Sequence, residues 1–126
     1  MTRQFTVRLK NEPGALAALG QALADHGIDI RNIGGGAVGS HGMVVLITNN
    51  DDEAREVFRR GKYAFEEGEV LTVSVEDHPG SLAGVARRLA EAEVNVFGVL
   101  VLGRRQGKAE LSLAVDDVRK AHRALS

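Results

Sequence analysis

Two turns in this chain carry residue types that could hold a small charged ligand. Asn11-Glu12-Pro13-Gly14-Ala15-Leu16 returns as Asp77-His78-Pro79-Gly80-Ser81-Leu82. They contain the only two prolines of the sequence, Pro13 and Pro79, which stand 66 positions apart. A helix that starts at such a turn presents unpaired N–H groups and the positive end of its dipole. The amides of Gly14, Ala15 and Leu16, or of Gly80, Ser81 and Leu82, would then receive a carboxylate. Glycine lets a ligand approach the backbone closely. Asn11 and Asp77 place a polar side chain within reach of the same spot. The same residue types also serve as plain caps and turn formers.

The elements around the turns follow from periodicity. Phe5, Val7 and Leu9 alternate with polar residues, which predicts a half-buried strand. Pro13 suits the first turn of a helix. Leu16, Leu19, Gly20 and Leu23 then form an apolar helical stripe, closed by His26-Gly27. Ile28 and Ile30 open a second strand that runs into Gly34-Gly35-Gly36-Ala37-Val38. Gly39-Ser40-His41-Gly42 reads as a hairpin turn. Met43 to Thr48 is apolar on both faces and predicts a central strand. Asn50-Asp51-Asp52 caps a second helix carrying Ala54, Val57, Phe58 and Gly61. Tyr63 and Phe65 suggest a short fourth strand, giving β-α-β-β-α-β.

The second copy begins after Glu67-Gly68-Glu69. Leu71, Val73 and Val75 match Phe5, Val7 and Leu9, and Leu82, Val85, Ala86 and Leu89 match the first helical stripe. Val96 to Leu102 is a strand, Gly103 to Gly107 a turn, and Ala109 to Val115 a strand. Asp116-Asp117 caps a last helix carrying Val118, Ala121 and Leu125, after which no fourth strand follows. The expected organisation is therefore α+β. Residues 1–67 form one ferredoxin-like βαββαβ unit, and 68–126 a second that lacks its last strand. Antiparallel sheets carry helices on one face, and a bare strand edge calls for cover from another chain or a shifted strand.

Composition narrows the function classes. The 126 residues are 44% hydrophobic and 26% charged, with four Phe, one Tyr and no Trp, so Val, Leu, Ile and Ala must build the core. A formal net charge of −1 offers no electrostatic case for nucleic acid or an anionic membrane. There is no cysteine for disulfides, thiolate catalysis or Cys-type metal sites. The longest apolar run, Val96 to Leu102, falls far short of the ~20 residues of a spanning helix. The expected location is the cytoplasm.

Two copies of an N/D-x-P-G-x-L turn after strand one resemble tandem ACT domains, the small regulatory modules of amino-acid metabolism. A G/E-I/V-N/D-I/V step after helix one supports the resemblance, which departs from the family at Glu93, where glycine is common, and at the absent last strand. It implies a free amino acid as ligand, its carboxylate on the turn amides and its ammonium on Asn11 or Asp77. It also implies a second polar residue from the start of strand two of a neighbouring unit, here Asp29 or Asn95. Asn11 would face Asn95, a pair that donates and accepts and so suits a zwitterion. Asp77 would face Asp29, a doubly acidic pair expected to repel a carboxylate and to stay empty or take a cationic group. A homo-oligomer and a separate partner enzyme are the implied partners. ACT-like units that bind nothing and only hold subunits together remain the second reading.

Other signals carry less. Gly34 to Gly39 matches G-x-G-x-x-G, but no helix opens there to hold a pyrophosphate. His26, His41, His78 and His122 lack metal-ligand spacing. No hydroxyl sits in a nucleophile-elbow context. The aromatics Phe5, Tyr63, Phe65 and Phe97 form no base-stacking motif. Arg59-Arg60, Arg87-Arg88 and Arg104-Arg105 are balanced by nearby acids or lie in a turn, and Arg104-Arg105 is expected to be a solvated tip. No catalytic residues, cofactor or metal are expected.

Overall fold

The first strand, β1 (Arg3–Lys10), places Phe5, Val7 and Leu9 on one face, all buried. A computed structural model describes residues 2–126, and they divide into two compact units, Thr2–Glu67 and Gly68–Ser126. In the first unit β1 is followed by α1 (Ala15–Asp25), β2 (Ile30–Val38), β3 (His41–Thr48) and α2 (Asp51–Arg60). The next strand, β4 (Phe65–Glu76), begins in this unit and continues into the second. β3 lies between β2 and β1 and is antiparallel to both, as its two apolar faces require.

α1 is rich in alanine, a strong helix former. It ends at His26, followed by Gly27 at φ +67°, the left-handed conformation that glycine adopts without strain. α2 starts on Asn50, whose side chain accepts from the Glu53 N–H at 3.1 Å. Leu19 and Leu23 of α1 and Ala54, Val57 and Phe58 of α2 close over Phe5, Val7, Leu9, Val44 and Leu46, so both helices cover the same face of the sheet. Phe5 and Phe58 meet edge-on in this core and Phe65 packs tilted against both, with ring centroids 5.2 to 6.1 Å apart. Arg55 pairs with Glu67 and Asp52, each at 2.9 Å, and Arg3 reaches Glu67 at 3.7 Å, tying α2 to the start of β4. Hydrogen bonds donated to Glu67 and then to Asp52 hold the Arg55 guanidinium above its ordinary pKa.

The second unit contains the rest of β4, α3 (Ser81–Glu91), β5 (Val96–Arg105), β6 (Lys108–Val115) and α4 (Val118–Leu125). β6 is central, antiparallel to β4 and β5. Leu71, Leu89, Val94, Leu111, Leu113, Val115 and Ala121 form its core. Asp117 caps α4 by accepting from the Lys120 N–H at 3.0 Å. Among the described residues no strand follows α4.

Several expectations are corrected. The proline is not in the first helical turn, because α1 starts at Ala15 on a Gly14 cap at φ +89° and α3 repeats this with Gly80 at φ +93°. Leu16 and Leu82, assigned to the core stripes, are 56% and 50% exposed, since each lies in the first helical turn, beyond the reach of the sheet core. The fourth strand of copy one and the first of copy two are a single strand, β4, and Glu67-Gly68-Glu69 runs through without a break. Gly68 sits where a Cβ would overlap the Phe97 ring, so the glycine serves packing rather than a turn. The hairpin turns shrink to Gly39-Ser40 and Gln106-Gly107. Phe5 and Phe65 share the first core with Phe58.

Candidate functional site

At the first Pro-Gly corner the chain is clasped to the tip of the β2–β3 hairpin. The Asn11 N–H donates to the Ser40 carbonyl at 3.5 Å, and the Asn11 side-chain Nδ2 donates to the Gly39 carbonyl at 2.8 Å. The carboxamide is thereby oriented, with Oδ1 left as an acceptor. The Ala15 N–H turns back to the Glu12 carbonyl at 3.3 Å, so it is not free for a ligand. No side chain caps α1.

Beside this corner lies a cavity of about 540 Å³, within the usual range of ligand pockets, about 300–1,000 Å³. Its walls are the first turn of α1 (Ala15, Leu16) and β2 (Ile33 to Ala37). Its floor is Leu9 with Gly42, Met43 and Val44, and Lys10, Asn11 and Glu12 form its rim. Glycine makes the cavity in two ways. Gly35 faces the helices in register with Val44 and leaves that side of the edge strand bare. It must be glycine, because a Cβ there would overlap the Met43 carbonyl oxygen and lie 3.0 Å from the Val44 Cα. Gly42 is similar, its Cβ position lying 2.7 Å from the Leu9 carbonyl oxygen.

The second corner keeps the backbone clasp and changes the side chains. The Asp77 N–H donates to the Gly107 carbonyl at 2.8 Å, and the Asp77 carboxylate pairs with Arg104 Nε at 3.1 Å. Glu76 pairs with Lys108 at 3.7 Å. Ser81 Oγ lies 3.2 Å from His78 Nδ1, which is also 3.0 Å from the Pro79 carbonyl.

Asp29 and Asn95 stand just before β2 and β5 in matching frames. The Asp29 N–H donates to Asn49 Oδ1 at 2.9 Å, and the Asn95 N–H donates to Asp116 Oδ1 at 3.0 Å. The Asp29 carboxylate lies 3.7 Å from Arg31 Nε. Asp77 and Asp29 are thus each beside a cation. Arg104 is exposed beside the hairpin turn, as expected of a solvated tip, and is also an ion-pair partner. Among the described residues no group of three or more His, Cys, Asp or Glu could hold a metal, and no helix is long and apolar enough to cross a membrane.

The family model of the ACT domain matches residues 3–60. That stretch is similar to ACT domains.

Solved structures similar to the whole chain agree on the fold. One is protein BT0572 from Bacteroides thetaiotaomicron, with TM-score 0.73 and 21% identity over 99% of this chain and 87% of that one. Another is the regulatory subunit of aspartate kinase from Thermus flavus, with TM-score 0.67 and 18% identity over 99% and 93%. The ligand-free regulatory subunit of aspartate kinase from Thermus thermophilus follows, with TM-score 0.63 and 20% identity over 98% and 87%. At these identities the likeness is one of fold. No curated protein matches the chain in sequence.

Within the stretch that matches the family model, the cavity brings together Asn11, Ala15 and Leu16; Gly14 shapes the turn but does not line it. Asp29 stands at the opposite end of the sheet, because Ile30 pairs with Thr48 while Val38 pairs with His41 beside Lys10. The second unit holds Asp77, Gly80, Ser81 and Leu82 at one end and Asn95 at the other by the same register. Lys10, Glu12 and Met43 of the cavity were missed from sequence. Lys10 and Glu12 flank Asn11, and their opposite charges were the available signal.

Proposed function

We propose that this chain is a regulatory module that binds a free amino acid at the Asn11 corner of its ACT domain and passes occupancy to a separate enzyme of amino-acid metabolism. The cavity at that corner is the observation that carries the reading: it is the right size, mostly apolar, and rimmed by Lys10, Asn11 and Glu12. The second unit, residues 68–126, is read as an incomplete second ACT-like copy, and Asn95 as the polar residue that a neighbouring unit adds to an Asn11 site. Homo-oligomers of the chain would carry the response. Similar solved structures include regulatory subunits of aspartate kinase, which fits a cytoplasmic partner enzyme and a chain without chemistry of its own.

One observation favours a second reading, a ligand-free interaction module. Leu16 and Ile33 are 56% and 46% exposed, and their counterparts Leu82 and Val99 are 50% and 43% exposed. Matched apolar pairs at both corners suit a surface that packs against protein.

A thermal-shift panel of the common amino acids separates the two. A ligand at a hundred times its Kd adds about 2.7 kcal/mol, or roughly ten degrees for a chain of this size. One or two hits that vanish in Asn11→Ala support the sensor. A flat panel with folded protein refutes it in favour of the interaction module.

A further inference from the structure

The two repeats can be compared position by position, because their hairpins share a register until one residue is added. Both edge strands bulge at the same place, between Ile30 and Asn32 and between Val96 and Gly98. Gly35 pairs with Val44 as Val101 pairs with Leu111. β5 then bulges again between Val101 and Gly103, which absorbs Leu102 as the extra residue. Beyond that point Ala37, opposite Gly42, corresponds to Arg104, opposite Ala109.

The comparison sets the small residues of the cavity against their counterparts. Gly35, Ala37 and Gly42 line the cavity in the first unit. Val101, Arg104 and Ala109 stand at those positions in the second. Val101 projects a side chain onto the helix-facing side that Gly35 leaves bare. Arg104 spans from the strand to the corner and ends on Asp77. The rim also changes sign: Lys10 corresponds to Glu76, and Glu12 to His78. Among the described residues, no ion pair engages Lys10 or Glu12, whereas Glu76 and Asp77 both have cations.

We infer that the first repeat alone is the ligand-binding copy, that it takes an amino acid with an apolar side chain, and that the second repeat is a copy whose corner carries Val101 and Arg104 where the first has Gly35 and Ala37. The inference rests on the amino-acid reading above and adds its stoichiometry and ligand class. The apolar side chain lies on Leu9, Leu16, Ile33 and Val44, over the bare Gly35. Lys10 meets the carboxylate, and Glu12 with Asn11 Oδ1 meets the ammonium. A zwitterion is the one small solute that answers both charges of this rim while presenting an apolar group to the floor.

Isothermal titration of the full chain tests this. Leucine, isoleucine, valine, methionine and phenylalanine form the probe set, with lysine, aspartate and threonine as controls. The expected result is saturation at one ligand per chain by an apolar amino acid, at least about tenfold tighter than any control, the discrimination a methylene-sized apolar contact supplies. Ala37→Arg, which grafts the second copy's side chain into the cavity, and the smaller Ala37→Leu should both abolish saturation. Arg104→Ala should leave affinity and stoichiometry unchanged, and a melting curve on each variant reports folding. Two ligands per chain, tightest binding by a control, or loss of binding in Arg104→Ala overturns the inference while amino-acid binding stands. Absence of binding by every amino acid overturns both.

Discussion

Gly35 and Gly36 are neighbours on one exposed edge strand, yet alanine at each should move stability in opposite directions. At Gly35 the new Cβ overlaps the Met43 carbonyl oxygen and lies 3.0 and 3.1 Å from the Val44 Cα and Cγ1. Two of these atoms are backbone of the central strand β3, and Val44 is buried, so the neighbours cannot yield cheaply. Overpacking of this kind costs about 1–3 kcal/mol. The loss of unfolded-state freedom on replacing glycine returns about 0.4–1 kcal/mol. The net expectation for Gly35→Ala is a loss of about 1–2 kcal/mol. For a chain of 126 residues, 1 kcal/mol is about 4 °C in Tm, so the melting point should fall by roughly 4–8 °C. At Gly36 no atom lies within 4 Å of the Cβ position, and its φ is not in the left-handed region. Gly36→Ala keeps only the entropic gain and should raise Tm by about 2–4 °C. Paired thermal and urea melts of the two variants are the assay. If both shift in the same direction by similar amounts, close approach of β2 to β3 is not what requires glycine at 35, and the account of the cavity floor fails with it.

Two further outcomes follow from the backbone and from charge. Glu93 holds φ +59° just past the end of α3, where the first repeat has Gly27 at φ +67°. The left-handed conformation costs a non-glycine residue about 1–2 kcal/mol, against roughly 0.5–1 kcal/mol for the entropy of glycine. Glu93→Gly should therefore raise stability by about 0.5–1 kcal/mol, and a lower melting point would contradict the assignment. Asp51 has its pKa raised above 3.8, chiefly by desolvation, against a backbone hydrogen bond from Arg3 that favours the charged form. The folded carboxyl holds its proton more tightly than the unfolded one, so its contribution to stability declines as pH rises through and above 3.8. Asp51→Asn keeps an acceptor for Arg3 and removes this titration. Its stability relative to the parent should rise with pH across that window in urea melts, and a fall would refute the sign.

The legibility of this chain in its sequence has a physical boundary. Period-two and helical patterns place β1, α2 and α4 well, because each of those elements buries one face, and the unbroken apolar run Met43 to Thr48 places β3, which buries residues on both. The two Pro-Gly turns mark the starts of α1 and α3, since a left-handed glycine caps each helix. What periodicity cannot convey is where a strand ends when the next one continues it. Nothing in Glu67-Gly68-Glu69 distinguishes a link from the middle of β4, since the glycine answers to the Phe97 ring. Leu16 and Leu82 fit a helical stripe but sit too near the helix start to be covered. At the candidate site, Asn11, Ala15, Leu16 and the glycine strand were legible as a corner and an unusual edge. That they line one cavity depends on the register of β2 with β3, which no local pattern reveals.

The corner itself shows what the repeat holds constant. Both copies make the same backbone bond from the residue before the turn to the hairpin tip, Asn11 to Ser40 and Asp77 to Gly107. Both use a left-handed glycine as the helix cap. Both tie the residue before the edge strand to the end of the central strand, through Asn49 and through Asp116. These contacts belong to the backbone frame, and they persist although the side chains at the corner do not. Within that frame the positions facing the cavity differ: Gly35 stands against Val101, Ala37 against Arg104, and Lys10 against Glu76. A changed lining within a kept frame is the pattern expected when one copy keeps a ligand and the other is released from it.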